Sequence, residues 1–338
     1  MSVMRYCFGL IFAMVLLAGC VFGQDSTSTL TAAQAAPVSR PIEVKATEVE
    51  AIEVKAIDVN AIDLKPDATG VVPPEQIRDL LRRAEEKDLE NEKRLRDYTY
   101  IEREERHKLN GRGGEPDGVK KIDSRTWEIL EIYGEPVARL TAKDDKTLSA
   151  GEAKKEDDKI QKIIDKRKNE SEDYRRKRLK KEEKAREEDR KFVLEIADAF
   201  NFRLLGSEAL DGRDAWVLQG EPRPGYEPKS RDARMLSKFK GRVWIDKTDA
   251  QWVKLDITAI DTISFGFVLA RVHKGTHILF EQIRVNDEVW LPKQVEIHLD
   301  ARVALFKAYD EDIELTFHDY RKFRTDTKMT VVGEEKRE

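Results

Sequence analysis

The chain has 338 residues, 62 of them basic and 66 acidic, for a net charge of −4. A balance this even provides no electrostatic footprint for nucleic acid. The two cysteines, Cys7 and Cys20, both lie at the N-terminus, so the body has no disulfide framework, no thiolate metal site and no cysteine nucleophile. The charged fraction of 38% exceeds the roughly 25% of an average domain, and the length allows one domain of ordinary size with extensions.

Arg5 is the only charge before Asp25, and every residue from Tyr6 to Gly23 is uncharged. A basic start followed by a short apolar core is the pattern of a secretory signal peptide, placed at residues 1–19. The core ends in Leu17-Ala18-Gly19-Cys20, which resembles the lipobox at which bacterial lipoproteins are cleaved and acylated on the cysteine. That resemblance implies a lipid on Cys20 holding a periplasm-facing protein to a membrane, with the outer membrane as the expected one. Two alternatives stay open. Cleavage after Val21-Phe22-Gly23 gives a soluble periplasmic or secreted protein, and an uncleaved segment is a membrane helix, for which 18 uncharged residues are at the lower limit.

Residues 20–72 read as a linker. Small polar residues give way to five pentapeptide units beginning at Ile42, Thr47, Ile52, Ile57 and Ile62. Apolar and charged residues alternate within each unit, but an odd period puts successive units on opposite faces of a pleat. One continuous buried strand face is therefore excluded. A disordered tether is expected, with an edge or partner-binding strand as the alternative. As a flexible coil it spans roughly 40 Å.

The body is expected over residues 73–325, with a flexible tail at 326–338. Pro73-Pro74 suits a helix start, and Ile77, Leu80, Leu81 and Ala84 follow at i, i+3, i+4 and i+7. Strand-like runs at Tyr98–Ile101 and Trp127–Tyr133 flank the glycine-rich stretch from Asn110 to Gly114 as a long-looped hairpin, and Pro136–Ala142 reads as a third strand. Ser149-Ala150-Gly151-Glu152 is a capping box. It opens a charged helical insertion, residues 149–200, in which acid-then-base pairs recur at i, i+4, as in Glu172/Arg176 and Glu187/Lys191. The pattern predicts one long helix, or two breaking near Asn169–Ser171, projecting from the body and docking through Phe192, Val193, Ile196, Ala197 and Phe200 at its C-terminal end. From residue 202 a β meander is predicted: Phe202–Leu210, Ala215–Glu221, Gly241–Asp246, Trp252–Ala259, Thr276–Val285, Val289–Leu291, Lys293–Ala308 and Asp312–Phe323, with turn residues between them.

The chain contains no nucleophile elbow, no phosphate-binding glycine loop and no paired-histidine metal helix. His273 and His277 flank Gly275, which places them on a turn rather than on one helix face. The basic run Arg175–Lys181 has two readings, a solvated helix balanced by flanking acids or a contact for anionic headgroups or a membrane partner. Thr262–Ala270 is free of charge where a polar turn is expected, and reads as a short buried helix closing the sheet or as a lid or membrane-touching segment.

Gly241-Arg-Val-Trp-Ile-Asp246 followed by Gln251-Trp-Val-Lys-Leu-Asp256, with Val285-Asn-Asp-Glu-Val-Trp-Leu-Pro292 as the next hairpin, resembles the outer-membrane lipoprotein-sorting (Lol-type) carrier superfamily over roughly residues 74–140 and 200–323. The resemblance implies an α+β fold, an antiparallel half-open β-barrel wrapped around helices, with an apolar cavity for acyl chains or lipoproteins and neither cofactor nor catalysis. Candidate cavity residues are Trp244, Trp252, Phe265, Phe267, Phe280 and Trp290. Cys20 sides with a lipid-anchored receptor rather than a soluble carrier. The insertion has no counterpart in the resemblance. Its charged helix, 149–191, is the feature of an alternative reading, a module for binding or signalling to an envelope protein.

Overall fold

The computed structural model describes residues 64–109, 120–230, 232–265, 270–303 and 307–323. Residues 1–63, Cys20 and most of the expected linker among them, lie outside, as do Phe267 and the tail, whereas the linker's last residues, 64–72, are described and include β1.

Chain order begins with strand β1 (Val71–Val72), helix α1 (Pro74–Leu95) and strands β2 (Tyr98–Lys108), β3 (Lys120–Ile132), β4 (Glu135–Lys143) and β5 (Lys146–Thr147). Helices α2 (Ala150–Lys168) and α3 (Glu172–Ala199) follow, then β6 (Phe200–Leu210), β7 (Arg213–Pro222) and a short 3₁₀ helix (Asp232–Lys238). The remainder is β8 (Phe239–Asp246), β9 (Trp252–Ala259), β10 (Ile263–Phe265), β11 (Ala270–Val272), β12 (His277–Val285), β13 (Val289–Val303) and β14 (Lys307–Lys322).

All strand pairings are antiparallel, in the order β1-β6-β7-β8-β9-β12-β13-β14-β2-β3-β4-β5, with β10 and β11 a side hairpin held on β13. Among the described residues the two ends, β1 and β5, do not pair, so the sheet is open. It also curves. Helix α1 contacts both β6 and β13, five strands apart in that order. In a flat sheet these lie about 24 Å apart at 4.8 Å per strand, whereas a helix is only about 10–12 Å across. The sheet therefore wraps around α1 and its partner α3, and the fold is an open α+β half-barrel.

The apolar stripe of α1 explains its place. Ile77, Leu80, Leu81 and Ala84 are buried and meet Val193, Ile196 and Ala197 of α3 together with Phe202, Trp216, Leu218, Val243 and Ile245 of the sheet. This face of the sheet is the inner one. A second cluster continues it through Ile257, Ile278, Phe280, Val295, Ile297, Ile313 and Leu315. The packed body begins before the strands, since Leu64 is buried in the helix-side cluster.

Tight turns set the register. Asp211 has φ 48° and Gly212 φ 80° between β6 and β7, and Asn286 and Asp287 have φ 51° and 55° between β12 and β13. Left-handed residues of these types let tight hairpin turns, two residues long after β6 and three after β12, match the strand twist.

Several expectations change. Strands β2 and β3 extend well beyond Tyr98–Ile101 and Trp127–Tyr133. The predicted break at Pro292 does not occur, and β13 runs through it, because Pro292 sits opposite Gln282 where the β12 register shifts, a bulge at which a missing N–H is tolerated. In Thr262–Ala270 the described ends form β10 and β11, a strand pair rather than a helix.

The insertion is two helices, with the break at Asn169–Ser171. Ser149 caps α2: the Glu152 N–H donates to Ser149 Oγ at 3.4 Å, and the Ser149 N–H donates to Glu152 Oε2 at 3.2 Å. The hairpin docks at more than its C-terminal end. Ile160 is buried, Arg139 of β4 reaches Asp157 at 2.6 Å, and Glu135 in the β3–β4 corner binds both Arg167 and Arg178.

Candidate functional site

A cavity of about 60 Å³ lies where the two inner-face clusters meet, beneath α3 and the 3₁₀ helix. Its walls are Phe200 and Phe202 of β6, Phe239 and Val243 of β8, and Trp252, Leu255 and Ile257 of β9. Ile196 of α3 and Leu236 of the 3₁₀ helix cover it. Lys240 and Arg242 are the charged residues at its border.

The cavity has a local cause. Gly220 of β7 and Gly241 of β8 are directly opposite each other in the ladder, and both line the space. Two neighbouring strands thus carry no side chain at one level of the inner face. A Cβ on Gly241 would lie 2.1 Å from the Asp256 carbonyl oxygen, so the strands approach too closely there for any other residue. A Cβ on Gly220 would lie 3.0 Å from the Phe202 ring.

The cover is tethered by polar contacts. Glu195 on α3 accepts from the Tyr226 hydroxyl at 2.6 Å and from the Lys229 N–H at 2.5 Å, and Lys229 Nζ reaches Asp198 at 2.7 Å. These hold the segment leading into the 3₁₀ helix, and with it Leu236, over the opening. Burial and the adjoining Glu195 carboxylate push the Tyr226 hydroxyl pKa up.

Further along α1 and α3 the interface is polar. Glu85, Asp88 and Asp189 are buried there, as are Gln251 in the β8–β9 connection and Gln282 of β12, whose side chains meet. Gln251 donates to Asp88 at 3.2 Å, and Asn91 donates to Gln251 at 3.0 Å. Burial pushes the Glu85 carboxyl up to about 7, against the pull of Arg190 3.7 Å away.

The candidate residues separate. Trp252 lines the cavity, and Phe280 lies in the adjoining inner cluster. Trp244 and Trp290 are on the opposite, outer face with Ala215, Val217 and Val253. Cations cover them there: Arg242 and Lys254 stand 5.4 and 5.3 Å from the Trp244 ring, and Arg213 and Arg284 stand 5.4 and 5.8 Å from Trp290. A second small pocket on that face, lined by Asp246, Lys254, Glu281 and Lys293 beside Trp290, is mixed in charge. Phe265 falls at the end of β10. Phe200, Phe202, Leu236, Phe239 and the two glycines were not among the candidates. A glycine inside a strand pattern is the available sequence signal, since it marks a bulge or a close approach.

His273 and His277 do not act together, one contacting Asp300 at 2.7 Å and the other Asp256 at 2.9 Å. Among the described residues no group of three or more His, Cys, Asp or Glu side chains is arranged to hold a metal, and no helix is long and apolar enough to cross a membrane.

The fold and this cavity define the class: an open antiparallel half-barrel with an apolar space between sheet and helices. The chain is similar to several solved structures. One is a DUF1329 family protein from Desulfovibrio piger, 12% identical, with 76% of this chain and 95% of that one covered at a TM-score of 0.26. Another, from Vibrio parahaemolyticus, is named for an outer membrane lipoprotein-sorting protein domain, with 14% identity, 74% and 95% coverage and a TM-score of 0.30. A third is the LolA superfamily protein NE2245 from Nitrosomonas europaea, with 11% identity, 73% and 93% coverage and a TM-score of 0.23. Likenesses at this level transfer no residue role or activity to this chain. No family model and no curated protein matches it.

Proposed function

We propose that this is an exported, non-catalytic envelope protein, anchored through a lipid on Cys20, that takes an acyl chain, free or attached to a lipoprotein, into the cavity above the Gly220–Gly241 pair. The observation that carries the reading is that pair. It leaves a hole on the inner face, walled by aromatic and aliphatic side chains, and an apolar space in a protein interior stays dry and accepts apolar guests.

The cavity, about 60 Å³ as it stands, is well below the roughly 300–1,000 Å³ of ordinary ligand sites. Loading therefore requires the cover to lift. Leu236 is the natural moving part, because its segment is held by Glu195 and Asp198 through polar contacts while the cavity walls sit on paired strands. The test is displacement of a fluorescent fatty acid by unlabelled fatty acid on the full chain. Saturable displacement is expected in the wild type, reduced at least about tenfold in Val243→Phe and Leu255→Phe, which fill the space. Equal binding by folded filled variants would refute the assignment.

A further inference from the structure

The basic run in α3 is divided by the fold between two uses. Arg178 turns inward, donating to Glu170 at 3.0 Å, Glu135 at 2.8 Å and Glu182 at 2.9 Å, and Arg176 pairs with Asp173. The lysines are left outside. Tyr174, Lys177, Lys181 and Lys184 recur at i, i+3, i+7 and i+10 and so share one face of the helix, with Lys180 beside them, and all five are exposed. Val193 and Ile196, which dock α3 on the body, fall on the other side of the helix. Lys177, Lys180 and Lys181 make no ion pair among the described residues, and Lys184 has only Glu188 at 3.8 Å. Past Glu187 the same face becomes mixed in charge, so the cationic stripe covers about three turns, or roughly 15 Å.

We propose that this stripe is a docking surface for an anionic phospholipid membrane. Its composition selects the partner. The stripe contains lysine and no arginine. Lysine is a flexible point charge that suits a fluid layer of headgroups, whereas the forked guanidinium suits fixed carboxylates, and Arg176 and Arg178 of this run are engaged with carboxylates of the chain itself. Tyr174, 52% exposed at the end of the stripe, supplies an amphipathic ring of the kind that settles at headgroup level. Four lysines on one helical face reach the size of cluster that anionic leaflets attract. Docking here would lay the hairpin along the bilayer.

The test is co-sedimentation of the full chain with phosphatidylcholine vesicles, with and without phosphatidylglycerol. The apolar N-terminal segment is common to every variant, so the differences report the stripe. The wild type is expected to bind the phosphatidylglycerol vesicles more tightly, with the excess removed by salt. Joint replacement of Lys177, Lys180, Lys181 and Lys184 by Gln should reduce the excess at least about tenfold without changing the circular dichroism spectrum. A matched variant removing four exposed lysines of α2, with Lys154, Lys155, Lys162 and Lys166 each changed to Gln, should retain it. Unchanged binding by the stripe variant overturns the proposal, as it would if the stripe instead met an acidic protein. Equal loss in both variants also overturns it, because the effect would then be net charge alone.

Discussion

Strands β6 to β9 and strands β2 to β4 belong to one sheet but are stabilised differently. The first set places Trp216, Leu218, Val243, Ile245 and Trp252 under two helices, and its outer face holds a further aromatic cluster under cations. The second set carries charge along its length: β2 reads Tyr-Thr-Tyr-Ile-Glu-Arg-Glu-Glu-Arg-His-Lys, and of its residues only Tyr98 is buried. Ion pairs link the side chains there, such as Arg103 to Asp145 at 2.9 Å and Arg125 to Asp123 at 3.0 Å. Apolar burial is worth about 25 cal/mol per Å², while an exposed ion pair contributes about 0–1 kcal/mol. Stability should therefore be concentrated where the cavity is, with the charged strands as an extension that supports the helical hairpin.

This contrast is open to direct attack. Leu218→Ala, at a position 1% exposed, should cost about 2–5 kcal/mol in urea unfolding. A cost below 1 kcal/mol would show that the helix-covered half is not the stability centre.

A smaller effect comes from Glu85. Its carboxyl sits at about 7 in the folded protein, against an ordinary value near 4.5. The folded state therefore holds a proton that the unfolded state has released. The contribution is complete below pH 4.5 and is lost as pH rises to about 7, by about 1–3 kcal/mol. Glu131 at the end of β3, also pushed by burial to about 7, titrates in the same window. Glu85→Gln should flatten the pH dependence between about pH 4.5 and 7, and adding Glu131→Gln should flatten it further. An unaltered slope in the double variant would contradict both assignments.

Next comes the corner of the hairpin. Glu135→Ala removes the carboxylate shared by Arg167 and Arg178. It should speed amide hydrogen exchange over residues 172–185 with a global cost of about 1 kcal/mol. The least is expected from Arg103→Ala, which should shift the unfolding midpoint by less than about 1 kcal/mol. A larger loss there than at Leu218 would reverse the comparison.

Much of the fold was legible because it is local. The i, i+3, i+4, i+7 stripe of α1, the capping box at Ser149, the helix break at Asn169–Ser171 and the turns at Asp211-Gly212 and Asn286-Asp287 depend on a few adjacent residues. The site was less legible because it depends on facing. Alternation says that neighbours point oppositely, but Ala215-Trp216-Val217-Leu218 is apolar on both faces and fixes neither. The register shift at Trp244/Ile245 then moves the partners of β9. Trp244 and Trp252, which look equivalent in the sequence, consequently end on opposite sides of the sheet. The pairing of Gly220 with Gly241, which makes the cavity, is a contact between strands 21 residues apart in sequence number.

The most direct measurement is photocrosslinking of the full chain with a fatty acid bearing a diazirine at its terminal carbon, followed by peptide mapping. The account predicts labelling of Phe200, Phe202, Leu236 or Trp252, lost in Val243→Phe. Labelling confined to the outer face around Trp244 and Trp290, or to the N-terminal segment alone, would contradict it.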